Sequence, residues 1–381
     1  MKIFIIGAGL FGSVLAERIT SQMNRDVYVI EKRPHIGGNC WSEVDPETGI
    51  ECHCYGSHIF HTSNVEVWEY INQFAKFNNY RHIVLAKNKD KIYPMPINLQ
   101  TINTCFKKNF NPTEAKEFMH RKTKKHKRAD YGSLEEKAIS SVGVELYNLL
   151  IKGYTKKQWG CDPKNLPASI INRLPIRYNY NNSYFDDIFQ GVPIEGYYAL
   201  FEKMLSSPKI KIKLNTKFKS IKKFISPEDI VIHSGAIDEY FGYCHGYLTW
   251  RTVFFKKEIH NVSDFQGTAV MNYTNENVPF TRIHEFNHYH LRKKQNKKTI
   301  IYKEFSDLSQ SSQDPYYPIN NEINQNKYHK YQLKLGKEYP NVIFGGRLGN
   351  YAYYDMDDTI QVALDVFHNK IKPRIEAYDH V

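Results

Sequence analysis

Residues 3–19, IFIIGAGLFGSVLAERI, constrain the fold more than any other stretch. An apolar run leads directly into Gly7, Gly9 and Gly12, and SVLAERITSQM continues at helical spacing. DVYVIEK at 26–32 then reads as a second strand ending on Glu31. Strand, G-x-G-x-x-G turn, helix and a strand closed by an acid make the βαβ unit that binds a dinucleotide. Gly7 permits the tight turn, Gly9 lets the backbone approach a pyrophosphate, and Gly12 lets helix and strand close up. The helix start offers unpaired N–H groups to the phosphates. Glu31 follows Gly12 by 19 residues, where a carboxylate accepts from ribose hydroxyls and repels a 2′-phosphate.

EKRPHIGGN, residues 31–39, adds a second glycine pair, Gly37-Gly38, followed by Asn39. A plain NAD domain needs no further glycine turn directly after its ribose acid. The arrangement resembles FAD proteins of the glutathione-reductase type, where a basic residue such as Lys32 and this turn follow the acid. FAD runs extended through such a domain, so its flavin end needs contacts far along the chain. NVIFGGRLGNYAYYDMDDTI, residues 341–360, reads as a strand, a Gly345-Gly346-Arg347 turn and a helix beginning near Asp355. Arg347 suits the diphosphate, and the helix start near Met356 suits the flavin or its ribityl chain. A second phosphate loop for a nicotinamide is not visible. FAD is favoured over NAD.

Between these ends, residues 97–185 carry a helical pattern, and Gly132-Ser133 before Glu135-Glu136 marks one helix start. LLIKGYTKKQWG closes that region, with Gly153 expected to break the helix and Tyr154, Thr155 and Trp159 clustered as exposed aromatics and a hydroxyl. Such a cluster beside cations suits a nucleotide, while Trp159 reads equally well as a core anchor. Residues 171–193, with Arg173 and Arg177, read as a loop that closes over a charged ligand. Strand-like runs from about 240 to 305 predict an antiparallel sheet bearing Arg251, Asn272 and Arg282, and arginine forks match pyrophosphate oxygens.

At 381 residues, two or three structural units are expected. The net charge of +12 points to an anionic partner, and much of it lies in residues 107–128, nine Lys or Arg against two Glu. That run reads as a solvated helical face, because no helix-turn-helix, zinc-finger or RNP signature accompanies it; nucleic acid is not expected as a partner. No apolar run is long enough to span a membrane. The six cysteines do not read as a disulfide framework, and the chain opens on a strand rather than a signal peptide, so a cytoplasmic location is expected. Cys52-His53-Cys54 is too tight for a structural zinc pair, so no metal is expected.

GAGLFG, EKRPHIGGN, YGSHIFHT, LIKGYTKKQWG, NYNNSYFDDIFQG, GAIDEYF, FTRIHEF, PYYPIN and GGRLGNYAYYDMD together resemble, in order and spacing, the bacterial UDP-galactopyranose mutase family across almost the whole chain. The resemblance implies an α/β fold: an FAD-binding Rossmann-like (glutathione-reductase-type) domain with an inserted helical bundle and a twisted antiparallel β-sheet domain. It assigns 1–80, 190–235 and 325–381 to the FAD domain, 97–185 to the helices, and 81–96 with 236–324 to the sheet. It implies interconversion of UDP-galactopyranose and UDP-galactofuranose without net redox change, reduced FAD acting through flavin N5 as the nucleophile on the anomeric carbon. A homodimer and an external reductant, such as NAD(P)H or a reductase, come with it.

Matched position by position, Arg173 and Arg282 resemble the two arginines that hold the diphosphate, and His58 the histidine beside the flavin. Tyr154, Thr155, Trp159, Tyr184, Asn272, Tyr317 and Tyr353 match contacts to nucleotide or sugar. Gly7, Gly9, Phe11, Gly12, Glu31, Lys32, Gly38, Asn39, Ile59, Arg347, Asp355 and Met356 match FAD contacts, and Phe218 a strand near the adenine. Two departures stand out: Ser57, where Pro or Ala is usual, and GYCHGYLT at 242–249. They leave room for a 2-acetamido sugar, as in UDP-N-acetylgalactosamine. Two rival readings share the opening motif: an amine-oxidase-like flavin oxidoreductase, and a non-catalytic binding protein using the basic run.

Overall fold

The computed structural model describes residues 1–171, 175–290, 297–309 and 313–380. Its first layer is a five-stranded parallel sheet in the order Val342–Phe344, Ile230–His233, Ile3–Ile6, Val27–Ile30, Ile210–Lys213. The first three of these are buried along their length, as expected where both faces of a parallel sheet are covered. The pairing explains the apolar IFII and IVIH runs: Ile3 lies opposite both Val27 and Ile230, and Ile5 opposite Val29 and Ile232. Helices Leu10–Met23 and Met356–Val366 pack together, so the C-terminal element closes on the opening βαβ unit. The second strand stops at Ile30, one residue short of expectation, and Glu31 begins the turn beyond it.

The second sheet has seven strands, ordered Tyr317–Pro318, Trp250–His260, Thr299–Leu308, Arg282–Glu285, Val270–Tyr273, Val84–Asn88, Lys91–Met95. It is not wholly antiparallel: Val270–Tyr273 runs parallel to Val84–Asn88. That hairpin arrives from much earlier in the chain, so no tight turn dictates its direction.

Helices Leu99–Phe106, Pro112–Thr123 and Leu134–Leu146 begin on Asn98, Asn111 and Ser133, each accepting a backbone N–H in the first turn. Among the described residues up to 185, helical structure ends at Trp159 apart from two 3-10 turns, Pro163–Asn165 and Ala168–Ile171, short of expectation. Nor does Gly153 break the helix; it lies inside Lys152–Trp159. The irregularity falls earlier, at a kink on Gly143 (φ 78°, ψ 165°) and at the π-helical turn Tyr147–Ile151. In the basic run, Ala115, Met119 and Thr123 form the buried stripe of Pro112–Thr123, while Arg121 pairs with Glu117 and Lys122 with Glu145. No helix among the described residues is long and apolar enough to cross a membrane, and all six cysteines are unpaired.

Candidate active site

Three glycine turns meet beside the parallel sheet. Gly7 adopts φ +103°, and its N–H donates to the Ile30 carbonyl at 2.8 Å. A Cβ on Gly12 would lie 2.0 Å from the Gly7 carbonyl oxygen, so only glycine lets the helix start this close. Gly9 caps that helix without any side-chain hydrogen bond, leaving its first-turn amides open to an anion. The second turn lies on the first: Gly37 N–H donates to Ala8 at 2.8 Å, and a Cβ on Gly38 would come 2.9 Å from Gly9 Cα. Asn39 sits in the 3-10 turn that follows. The third turn packs on the ring of Phe11, where a Cβ on Gly345 would come 2.0 Å from Cζ.

Glu31 is buried; one carboxylate oxygen accepts from Ala8 N–H and the other from Arg33 N–H, each at 2.8 Å. Lys32 instead pairs with Asp314 at 2.7 Å, alongside Arg33 at 2.6 Å. Asp355 and Asp358 form a capping box on Met356–Val366, and Met356 packs against the main core. Phe218 is not on a strand: the chain turns at Asn215 (φ 51°), and Phe218 opens the short helix Phe218–Ile221. Its ring lies 5.0 Å from His233 and 5.4 Å from Tyr240. The cradle suits a dinucleotide: glycine wherever a side chain would collide, an uncapped helix start and a fixed carboxylate.

On the second sheet, Asn272 lies opposite Arg282 and Arg282 opposite Glu304, so the three form a row on one face. Arg282 Nε lies 3.1 Å from Glu304, and its Nη2 donates to the Tyr154 hydroxyl at 2.5 Å. Burial opposes ionisation of Glu304, yet Arg282, His284 and Thr281 pull its pKa down to about 2. The carboxylate in turn raises the pKa of Arg282 against the opposing effect of burial. Tyr184 and Tyr317 are close enough to share that field. Asn272 Oδ1 is buried without a hydrogen-bond partner. A buried amide left over in this way has hydrogen-bonding capacity that a ligand can satisfy.

Tyr154 reaches the row because its helix is fastened to the sheet. A Cβ on Gly153 would lie 2.3 Å from the Thr274 carbonyl oxygen, so helix and strand touch there. Lys157 Nζ lies 2.6, 3.1, 3.0 and 2.8 Å from the carbonyl oxygens of Tyr273, Asn275, Val278 and Phe280, which share its three N–H donors. Burial lowers its pKa to about 8. Sequence reasoning missed this anchor, since one lysine in a KK pair reads as solvated. Arg251 anchors the other end, donating to Gln158 O at 2.9 Å and Ser306 Oγ at 3.1 Å. It therefore supports the helix end, not the ligand position expected for it.

Tyr317 and Tyr353 stack with centroids 5.8 Å apart, and Arg347 lies 4.9 Å over the Tyr353 ring. Arg347 also donates to the carbonyls of Tyr316 and Tyr354. His58 holds Nδ1 2.7 Å from Gly56 O. Burial first, then Arg347 and His284, lower its pKa to about 4, so its ring is neutral at pH 7. Ile59 and Thr155 are buried. Trp159 is half-buried against the main core, the core-anchor reading rather than the exposed one. Tyr184 packs edge-on to His82. Arg173 lies outside the described residues. Arg177 braces its own loop, donating to Ser183 O and to Asp186 at 2.6 Å. The divergent 242–249 segment packs elsewhere, with Tyr331 accepting from His245 N–H at 3.0 Å and Asp238 from Leu248 N–H at 2.8 Å. A separate cavity of about 990 Å³ opens between Trp41, Glu51, Tyr80, Arg81 and Tyr198, and none of the anticipated site residues lines it.

A sequence profile described as UDP-galactopyranose mutase matches residues 149–353, and one described as an NAD(P)-binding Rossmann-like domain matches residues 5–74. The chain is 40% identical to dTDP-fucopyranose mutase of Escherichia coli over 375 residues, covering 97% of this chain and 98% of that protein. It is also 40% identical to a probable UDP-galactopyranose mutase of Klebsiella pneumoniae, covering 95% and 93%. The crystal structure of a reduced UDP-galactopyranose mutase superposes with a TM-score of 0.71 at 16% identity, covering 98% of this chain and 97% of that one.

Proposed function

The chain belongs to the UDP-galactopyranose mutase family of isomerases, and we propose from that premise that it interconverts UDP-galactopyranose and UDP-galactofuranose. The carrying observation is the Asn272–Arg282–Glu304 row facing Tyr154: a permanently charged guanidinium on one face of the sheet, ion-paired with Glu304 and donating to Tyr154. Such a fork matches a diphosphate, and its charge is best placed where the bond from sugar to UDP breaks.

The three glycine turns would hold FAD, with Gly9 and Gly38 toward its diphosphate, Gly7 and Gly12 letting the turn and helix close beneath it, and Glu31 toward its ribose. In its reduced form the bound cofactor supplies a nucleophilic nitrogen for the anomeric carbon. His58 stays neutral beside it and adds no competing charge. Arg282, with Arg173, stabilises UDP as it leaves and holds it for return after the sugar closes as the smaller ring. Glu304 keeps the Arg282 fork oriented. Tyr317 and Tyr353 direct hydroxyls to phosphate, while Tyr154, Thr155, Trp159, Tyr184 and Asn272 position uridine and sugar. The same reading carries an external reductant, a cytoplasmic homodimer and a product destined for polysaccharide, and it divides the chain into the cofactor, helical and sheet parts set out above.

A second substrate is favoured by one specific observation, the 40% identity over 97% of the chain to a dTDP-fucopyranose mutase. The test is incubation of the reduced protein with UDP-galactopyranose, UDP-N-acetylgalactosamine and dTDP-fucopyranose in turn, followed by separation of pyranose from furanose. The highest kcat/KM with UDP-galactopyranose supports the proposal. Turnover confined to another sugar nucleotide overturns the substrate, and oxygen-consuming oxidation overturns the reaction.

A further inference from the structure

Ser57 stands out in the sequence as a departure, and the structure gives it a place in a buried relay. Its Oγ lies 2.5 Å from His284 Nδ1 and accepts from the Tyr289 hydroxyl. His284 Nε2 lies 2.9 Å from Glu304 Oε2. Glu304 Oε1 receives Thr281 Oγ1 at 3.0 Å and pairs with Arg282 at 3.1 Å. Tyr154 ends the line.

We infer that Ser57 is a positioning residue for Arg282, acting through His284 and Glu304 to hold the guanidinium where a nucleotide diphosphate binds. The inference rests on the UDP-sugar reading above. The direction of donation follows from the groups themselves. Glu304 is ionised and can only accept, so His284 must donate through Nε2–H. Burial lowers the pKa of His284 against the pull of Glu304, so the ring is neutral and Nδ1 is an acceptor. Ser57 must then donate to Nδ1, and its oxygen is free to accept from Tyr289. Every hydrogen in the line therefore points one way, from Tyr289 toward Glu304.

The ring of His284 is 1% exposed and is flanked by Phe255 and Phe286. Neither face offers a hydrogen bond, so its two nitrogens alone set its rotation. With Ser57 removed, the bond to Glu304 is the one anchor left, so the ring can swing about it and holds the carboxylate less firmly. Glu304 then closes on Arg282 and draws it from Tyr154. The relay also connects the turn carrying His58 to the arginine row, since Ser57 is the residue before His58.

The test is UDP titration of the full-length, FAD-loaded protein, with KM and kcat for UDP-galactopyranose measured alongside. Ser57→Ala is expected to weaken UDP binding by about 3- to 10-fold and to lower kcat and kcat/KM in the same direction as Arg282→Ala but by about 3- to 10-fold only, with flavin content unchanged. Ser57→Thr, which keeps the hydroxyl, is expected to stay within about twofold of the parent. In an Arg282→Ala background, Ser57→Ala is expected to add less than about twofold, because the residue it serves is gone. Parental affinity in Ser57→Ala, or an equal loss with Arg282 absent, overturns the inference. If Ser57→Ala fails to retain flavin, His284→Phe takes its place in the same cycle with the same criteria. A parent protein that binds no UDP overturns the functional reading instead.

Discussion

At the scale of single residues, the site depends on the pairing of Arg282 with Glu304. Removing one partner of a buried ion pair strands the other charge, at a cost of about 3–5 kcal/mol. Arg282→Ala is expected to lower kcat by about 10²- to 10³-fold while FAD stays bound, read by steady-state kinetics and the flavin absorbance. Glu304→Gln keeps a side chain of the same shape but removes the charge, and is expected to lower kcat/KM by about 10- to 100-fold. Parental kinetics in either variant contradict the assignment. Arg282, Tyr154 and Asn272 were singled out in the sequence by the strand-like runs, the aromatic cluster and the family resemblance, and the structure brings the three together. Glu304 was not. In TIIYKEFS it alternates like a solvent-facing charge, and only the register opposite Arg282 shows that it is buried. Ser57 was visible as an oddity, but its partner His284 is 227 residues away.

At the scale of elements, close approach by glycine places the helix Lys152–Trp159 over the sheet. Gly153→Ala puts a methyl against the Thr274 carbonyl oxygen, 2.3 Å away, and backbone cannot yield as a side chain does. It is expected to cost about 1–3 kcal/mol and to weaken UDP binding by moving Tyr154, measurable by urea denaturation and by titration. An alanine variant as stable and as tight as the parent contradicts this role. The helix itself was legible, but its glycine was misread as a breaker. Glycine lowers helix propensity by only about 1 kcal/mol, and a tertiary contact that requires it outweighs that preference. The parallel pairing of Val270–Tyr273 with Val84–Asn88 was likewise hidden, because strand patterns carry no direction. The βαβ opening and the C-terminal glycine turn were legible because there local chemistry and tertiary role agree.

At the scale of the whole molecule, glycine turns from the two ends of the chain meet in one cradle while the middle supplies the Asn272–Arg282–Glu304 row, and the interior is crowded with neutral histidines. His53, His82 and His233 are buried, and burial lowers their pKa values from 6.5 to about 3, 3 and 4. The unfolded chain takes up these protons near pH 6.5 and the folded chain does not. Stability is therefore full above that pH and falls below it, by about 1.4 kcal/mol per group per pH unit. Glu304 adds a second, more acidic window: its contribution is intact above its ordinary 4.5 and lost as pH falls toward about 2. The melting temperature should decline steadily from about pH 6.5 downward; a flat profile from neutrality to about pH 5 contradicts this account of the core. The most direct test of the central claim uses one flavin-loaded preparation, half left oxidised and half reduced with dithionite, each given UDP-galactopyranose without oxygen. The account predicts UDP-galactofuranose from the reduced half alone. Furanose from the oxidised half, or none from the reduced half, contradicts it.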